Sequence, residues 1–115
     1  MKIYHNPRCS KSRTTLSLIR EQGIEPEVVE YLKEIPTAEE LGTLLAKLNL
    51  KASDIIRKGE AIYKQQFKGK NFSEEEWIQI MIENPKLIER PIVVKNNKAV
   101  LGRPPENVFE LIHPK

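Results

Sequence analysis

The first thirty residues restrict the fold more than any other part of the chain. Lys2-Ile3-Tyr4-His5 is short and β-prone, and Asn6-Pro7 is a turn signal. Leu16, Leu18 and Ile19 follow at roughly helical spacing, and Gly23 stands where a helix C-cap would. Val28-Val29-Glu30-Tyr31-Leu32 is a second β-prone run. Strand, helix and strand in this order form a βαβ unit, which favours parallel pairing of its two strands.

The middle of the chain reads as helical. Thr37 with Glu40 is a capping box, followed by the apolar stripe Leu41, Leu44, Leu45 and Leu48. Ser53-Asp54 is expected to cap a shorter helix carrying Ile55, Ile56 and Arg57, and a further helical piece is expected around Ile62, Tyr63 and Phe67. Ser73 with Glu76 is a second capping box, leading through Trp77, Ile78, Ile80 and Met81 to Asn84-Pro85. Pro91-Ile92-Val93-Val94 then has the apolar, β-branched character of a buried strand. Asn96-Asn97 suits a tight turn, Lys98-Ala99-Val100-Leu101 is the returning strand, and Glu106 to Ile112 is a closing helix. The order is β-α-β, a helical insertion, then β-β-α. It predicts an α/β chain with a mixed four-stranded sheet and the thioredoxin-like order of elements. Residues 1–115 are expected to form a single domain, with the insertion at about 35–85.

A chain of 115 residues can bury a core without disulfides or metal. Nineteen Lys plus Arg against sixteen Asp plus Glu leave a net charge of +3, and the basic residues are interleaved with Glu rather than clustered, which argues against a nucleic-acid surface. No apolar run approaches the ~20 residues of a membrane span. Lys2 and Pro7 break any signal-peptide core, so a cytoplasmic protein is expected. A single cysteine excludes an internal disulfide and points to a reducing compartment or a functional thiol. Two distant histidines and one cysteine make a poor metal site, and there is no Gly-rich nucleotide loop.

A lone cysteine is most often a buried, inert side chain. Cys9 has a different setting. It falls at the predicted start of a helix, where unpaired N–H groups and the helix dipole stabilise an anion. Arg8, Lys11 and Arg13 add cations that favour thiolate over thiol, and the Asn-Pro turn among polar residues predicts an exposed loop. A helix start is also an oxyanion cradle, so nucleophile and anionic substrate would share it. Ser12 occupies the place of the second cysteine in a C-x-x-C motif, so an external thiol must resolve any mixed disulfide. Ser12 could donate a hydrogen bond to the Cys9 sulfur or satisfy backbone in the first helical turn. His5 could act electrostatically on the thiolate or be a partly exposed strand-end residue.

Arg57, Arg90 and Arg103 lie in separate segments, and each alone reads as a solvated surface charge. Arg90 precedes Pro91 at the mouth of a predicted core strand, and the bond between them is a candidate cis peptide. Arg103 sits in the Gly102-Arg103-Pro104-Pro105 loop and would lie near Arg90 if the hairpin forms. An oxyanion such as arsenate or phosphate suits several guanidiniums, each offering a bidentate fork.

His5-Asn6-Pro7-Arg8-Cys9-Ser10-Lys11-Ser12-Arg13, Arg90-Pro91-Ile92-Val93-Val94 and Gly102-Arg103-Pro104-Pro105 together resemble the glutaredoxin-coupled arsenate reductase family. The resemblance runs from about Lys2 to about Ile112, and the family fold is thioredoxin-like with a helical insertion. It implies that Cys9 is the nucleophile that forms a thiol-bound arsenate. It assigns the oxyanion to Arg57, Arg90 and Arg103, and tuning of the cysteine to His5 and Ser12. It implies that glutathione is the reductant with no bound cofactor, that glutaredoxin removes glutathione from the cysteine, and that arsenite is the product. A monomer free of nucleic acid and membrane is expected. Many resistance-type reductases have small uncharged residues around the cysteine and a longer tail. Arg8, Lys11 and an end at Lys115 resemble the short branch of the family.

Two other functions fit parts of the pattern. An Spx-type regulator uses the same fold to contact RNA polymerase, but many of these carry a C-x-x-C switch where this chain has Ser12, and Arg103 is retained here. A thiol oxidoreductase acting on another substrate, for example in deglutathionylation, is the other alternative.

Overall fold

The computed structural model describes residues 1–113; Pro114 and Lys115, the end of the expected domain, lie outside the described residues. The strands are β1 (Lys2–His5), β2 (Glu27–Glu30), β3 (Ile92–Lys95) and β4 (Lys98–Leu101), and the α-helices are α1 (Ser10–Glu21), α2 (Ala38–Leu48), α3 (Glu74–Glu83) and α4 (Phe109–Ile112). The chain divides into two compact units, one of Met1–Glu34 with the chain from Arg90 onward, the other of Ile35–Glu89.

The first unit holds the sheet, in the order β2-β1-β3-β4, with β1 and β2 parallel and the other pairs antiparallel. It is the mixed four-stranded sheet of an α/β chain. Register aligns Ile3 with Val28 on one side and Val93 on the other, and Val93 with Val100. Because side chains alternate along a strand, these residues share one face. Ile3, Val93 and Val100 form a core cluster with Leu16 and Ile19 of α1 and with Val108 and Leu111 at the closing helix. Helix α1 ends as its glycine predicts: Gly23 takes a left-handed φ of +79° and its N–H bonds to Arg20 O at 2.9 Å.

Strand β2 is shorter than the run Val28–Leu32 suggests. The N–H groups of Lys33 and Glu34 both bond to Glu30 O, at 2.9 and 2.8 Å, and this turn ends the strand although the residues beyond it are still β-prone. The expected closing helix is also divided. Residues Pro105–Val108 form a single 3-10 turn before α4, with the Asn107 N–H donating to Pro104 O at 3.0 Å.

In the second unit the expected N-caps at Thr37 and Ser73 form, whereas at Ser53-Asp54 the N-cap is Lys51, whose N–H donates to Asp54 Oδ2 at 2.9 Å. Thr37 Oγ1 accepts from the Glu40 N–H at 3.1 Å, and Ser73 and Glu76 bond reciprocally at 3.2 and 2.9 Å. Leu41, Leu44 and Leu45 of α2 and Trp77 and Met81 of α3 are buried. The helix expected from Ser53 to Arg57 is instead one 3-10 turn, Ala52–Ile55. Tertiary pairing stops it. Ile56 is extended and bridges Ile88 antiparallel, with Arg57 N–H donating to Leu87 O at 2.8 Å and Glu89 N–H to Ile55 O at 2.9 Å. The next expected helical piece is present, with π-helical geometry over Tyr63–Phe67.

Candidate active site

The loop between β1 and α1 is a closed turn. Cys9 N–H donates to Asn6 O at 3.0 Å, with Pro7 at the second turn position where its fixed φ fits. Asn6 Oδ1 also accepts from Arg8 N–H at 3.0 Å, and Arg13 Nη1 donates to Pro7 O at 2.9 Å. Cys9 is the N-cap of α1 and its side chain makes no capping hydrogen bond. It is a free thiol. The helix start therefore has the amide donors and dipole that favour an anion beside the sulfur.

Cys9 is not on an exposed loop, however; it is 8% exposed. Its spacing explains why. Residues 9, 12, 16 and 19 fall on one helical face, and Ser12, Leu16 and Ile19 of α1 are all buried. Arg8, Ser10 and Lys11 point the other way and are exposed. The polar neighbours that suggested an exposed loop belong to the outer face.

His5 is likewise buried, 6% exposed, rather than a partly exposed strand-end residue. Its Nδ1 lies 2.6 Å from Ser12 Oγ, and Ser12 Oγ accepts from the Asn6 N–H at 3.1 Å. Ser12 therefore satisfies backbone, one of its two expected roles, and ties the turn to the histidine as well. Burial lowers the His5 pKa below its usual 6.5, and Arg20 and Arg13 push the same way against an opposing pull from Glu30. A neutral ring can receive the Ser12 hydroxyl proton at Nδ1 while the Ser12 oxygen holds the Asn6 N–H.

This has a consequence for stability. A histidine whose pKa is lower in the folded state binds its proton more readily when unfolded. Stability is then full above about 6.5 and is lost as pH falls from there toward the folded-state value. Urea unfolding between pH 8 and pH 5 should show this loss in the wild type and a flatter profile in His5→Asn. Parallel profiles for the two proteins would remove His5 as the titrating group.

Arg90 and Arg103 flank the paired ends of β3 and β4. Ile92 pairs with Leu101, and Gly102 N–H donates to Pro91 O at 2.9 Å. Strand β3 is also antiparallel to β1, with Tyr4 opposite Ile92. The C-terminal end of β1, from which the Cys9 turn departs, thus meets the end of β3 that Arg90 precedes. Cys9, Arg90 and Arg103 are gathered at one end of one sheet. Both Arg90-Pro91 and Arg103-Pro104 are cis.

Several residues not singled out in the sequence hold this end together. The buried Thr15 hydroxyl lies 2.9 Å from Lys11 O and 3.2 Å from Gly102 O, joining α1 to the arginine loop. Asn107 Nδ2 donates to Leu101 O at 3.0 Å and to Arg103 O at 3.3 Å. The Thr15–Gly102 contact joins residues remote in sequence and emerges only with the sheet register, whereas Thr15–Lys11 and Asn107–Arg103 are four residues apart.

Arg57 belongs to the second unit. Its Nη1 donates to Glu60 Oε1, and its Nε lies 3.9 Å from Glu89 Oε1. Among the described residues no group of three or more His, Cys, Asp or Glu could hold a metal ion, and no helix is long and apolar enough to cross a membrane.

The chain matches the ArsC family over residues 4–111. It is 53% identical over 114 residues to the uncharacterized protein YfgD of Escherichia coli (strain K12), covering 97% of this chain and 96% of that one. It is 44% identical over 110 residues to the arsenate reductase of Neisseria meningitidis serogroup A, covering 94% of each. Among solved structures, the arsenate reductase from Vibrio cholerae superposes with a TM-score of 0.91 at 48% identity, over 96% of this chain and 97% of that one. The fold is that of those thioredoxin-like reductases. With its cysteine at the N-cap position of α1, its arginine-flanked strand ends and a match that spans nearly the whole described length, the chain belongs to the ArsC family.

Proposed function

We propose that this protein is an oxidoreductase that reduces arsenate to arsenite through a covalent intermediate on Cys9. The observation that carries this reading is the placement of Cys9 at the N-cap of α1, at the same sheet end as Arg90 and Arg103. A helix N-terminus favours an oxyanion, and guanidiniums bind one bidentately. Relatives named arsenate reductases support the choice of substrate.

In the proposed cycle Cys9 attacks as the thiolate, which is the nucleophilic form. A sulfur–arsenic bond forms and one arsenate oxygen leaves as water. Arg90 and Arg103, with Arg57 as the third guanidinium, balance the charge of the oxyanion and of the species formed on attack. Glutathione sulfur then takes the Cys9 sulfur, and the sulfur–arsenic bond breaks toward arsenic. Arsenic leaves two electrons richer as arsenite, and Cys9 remains in a mixed disulfide with glutathione. Ser12 stands where a second cysteine would otherwise resolve that disulfide. Glutaredoxin does so by thiol exchange, in the reducing cytoplasm and on a monomeric enzyme.

The decisive experiment couples arsenate to NADPH oxidation through glutathione, glutaredoxin and glutathione reductase. Arsenate-dependent oxidation that requires both glutathione and glutaredoxin is expected. Its absence with an active coupling system would overturn the function. Arg90→Lys should lower kcat/KM for arsenate at least about tenfold, since an ammonium cannot copy a planar fork. An unchanged value would remove Arg90 from the site.

A further inference from the structure

The setting of Arg57 raises a question of charge. Its backbone is pinned, because the Arg57 N–H donates to Leu87 O at 2.8 Å beside the Ile56–Ile88 bridge. Glu60 is brought round by the turn that follows, its own N–H bonding to Arg57 O at 3.2 Å. The guanidinium then meets two carboxylates, Glu60 at Nη1 and Glu89 facing Nε at 3.9 Å. Side-chain exposures are 27% for Arg57, 28% for Glu60 and 25% for Glu89, so the group is screened less than a fully exposed pair.

A guanidinium binds an oxyanion through one of two paired edges, Nη1 with Nη2 or Nε with Nη2. Glu60 engages one edge and Glu89 faces the other. Arg57 with Glu60 and Glu89 counts one guanidinium against two carboxylates. An oxyanion that takes the Nη1–Nη2 edge of Arg57 must displace Glu60, which makes the closer contact. Resting on the assignment of Arg57 to the oxyanion, we infer that Glu60 is an internal competitor for that arginine and sets the affinity for substrate. It is a specificity-determining residue, acting through Arg57 rather than on arsenic.

Glu60→Gln keeps the shape and an acceptor oxygen while removing the charge. In the coupled assay its KM for arsenate should fall about fivefold, roughly 1 kcal/mol at 1.4 kcal/mol per tenfold, with kcat changed less than about twofold. A matched loss of charge at the exposed Glu75, Glu75→Gln, should leave KM in place. Without arsenate, unfolding of Glu60→Gln, Arg57→Met and the double variant should be non-additive, because the first change already removes the pair. Additive unfolding, an unmoved or raised KM in Glu60→Gln, or an equal fall in Glu75→Gln would each overturn the inference. If the wild type turns over arsenate and Glu60→Gln does not shift KM, this inference alone fails. If the wild type shows no arsenate turnover, the proposed function fails and takes this inference with it.

Discussion

Cys9→Ser is expected to abolish arsenite formation, lowering turnover at least about a thousandfold, as loss of a covalent nucleophile does in other enzymes. The substitution changes one atom, so it isolates chemistry from packing. A serine hydroxyl is not ionised near neutrality and is a far weaker nucleophile toward arsenic than a thiolate. The fold should not suffer. Serine is among the preferred N-cap residues, and Cys9 makes no capping hydrogen bond that could be lost. A serine Oγ could accept from a first-turn N–H of α1, so the unfolding free energy should stay within about 1 kcal/mol of the wild type. Arsenite measured directly, alongside urea unfolding, checks both halves. A folded Cys9→Ser variant that still produces arsenite at an appreciable rate would end the covalent scheme.

The second large effect is expected at Gly102, from sterics alone. A Cβ there would lie 2.7 Å from Pro91 Cγ, 2.7 Å from Thr15 Oγ1 and 2.9 Å from Thr15 Cγ2. None of these neighbours can yield easily. Pro91 is a buried ring, and Thr15 is a fully buried, β-branched residue whose hydroxyl faces both Lys11 O and Gly102 O. Gly102→Ala should therefore destabilise by about 2–3 kcal/mol, in the range of overpacked cores, and lower Tm by roughly 10 °C. The same displacement would separate α1, whose N-cap is Cys9, from the loop that carries Arg103. Activity should fall at temperatures where the variant is still folded. Thermal unfolding and kcat/KM measured together test this, and an unchanged Tm would mean that Thr15 and Pro91 relax at no cost.

The two predictions draw on different kinds of information. The importance of Cys9 was legible in local signals: an Asn-Pro turn, a cysteine at a helix start, and apolar spacing that follows it. The importance of Gly102 as a point of close approach was not. Nothing within a few residues of Gly102 announces that Thr15, eighty-seven positions earlier, lies against it.

Short-range order alone determined the succession of elements, the N-caps of α2 and α3 and the position of Cys9 at the head of α1. These depend on spacings of three or four residues and on turn chemistry, which neighbouring residues settle among themselves. Tertiary structure decided the rest. Pairing of Ile56 with Ile88 overrode the helical reading of Ser53–Arg57, and desolvation by the packed sheet turned His5 and Cys9 from expected surface residues into buried ones. The antiparallel registers of β1, β3 and β4 brought Arg90 and Arg103 to the cysteine's end of the sheet. Backbone pairing and burial are set by partners far along the chain, so the approach of Glu89 to Arg57 emerges only once the chain has folded, whereas Glu60 is a neighbour three positions on.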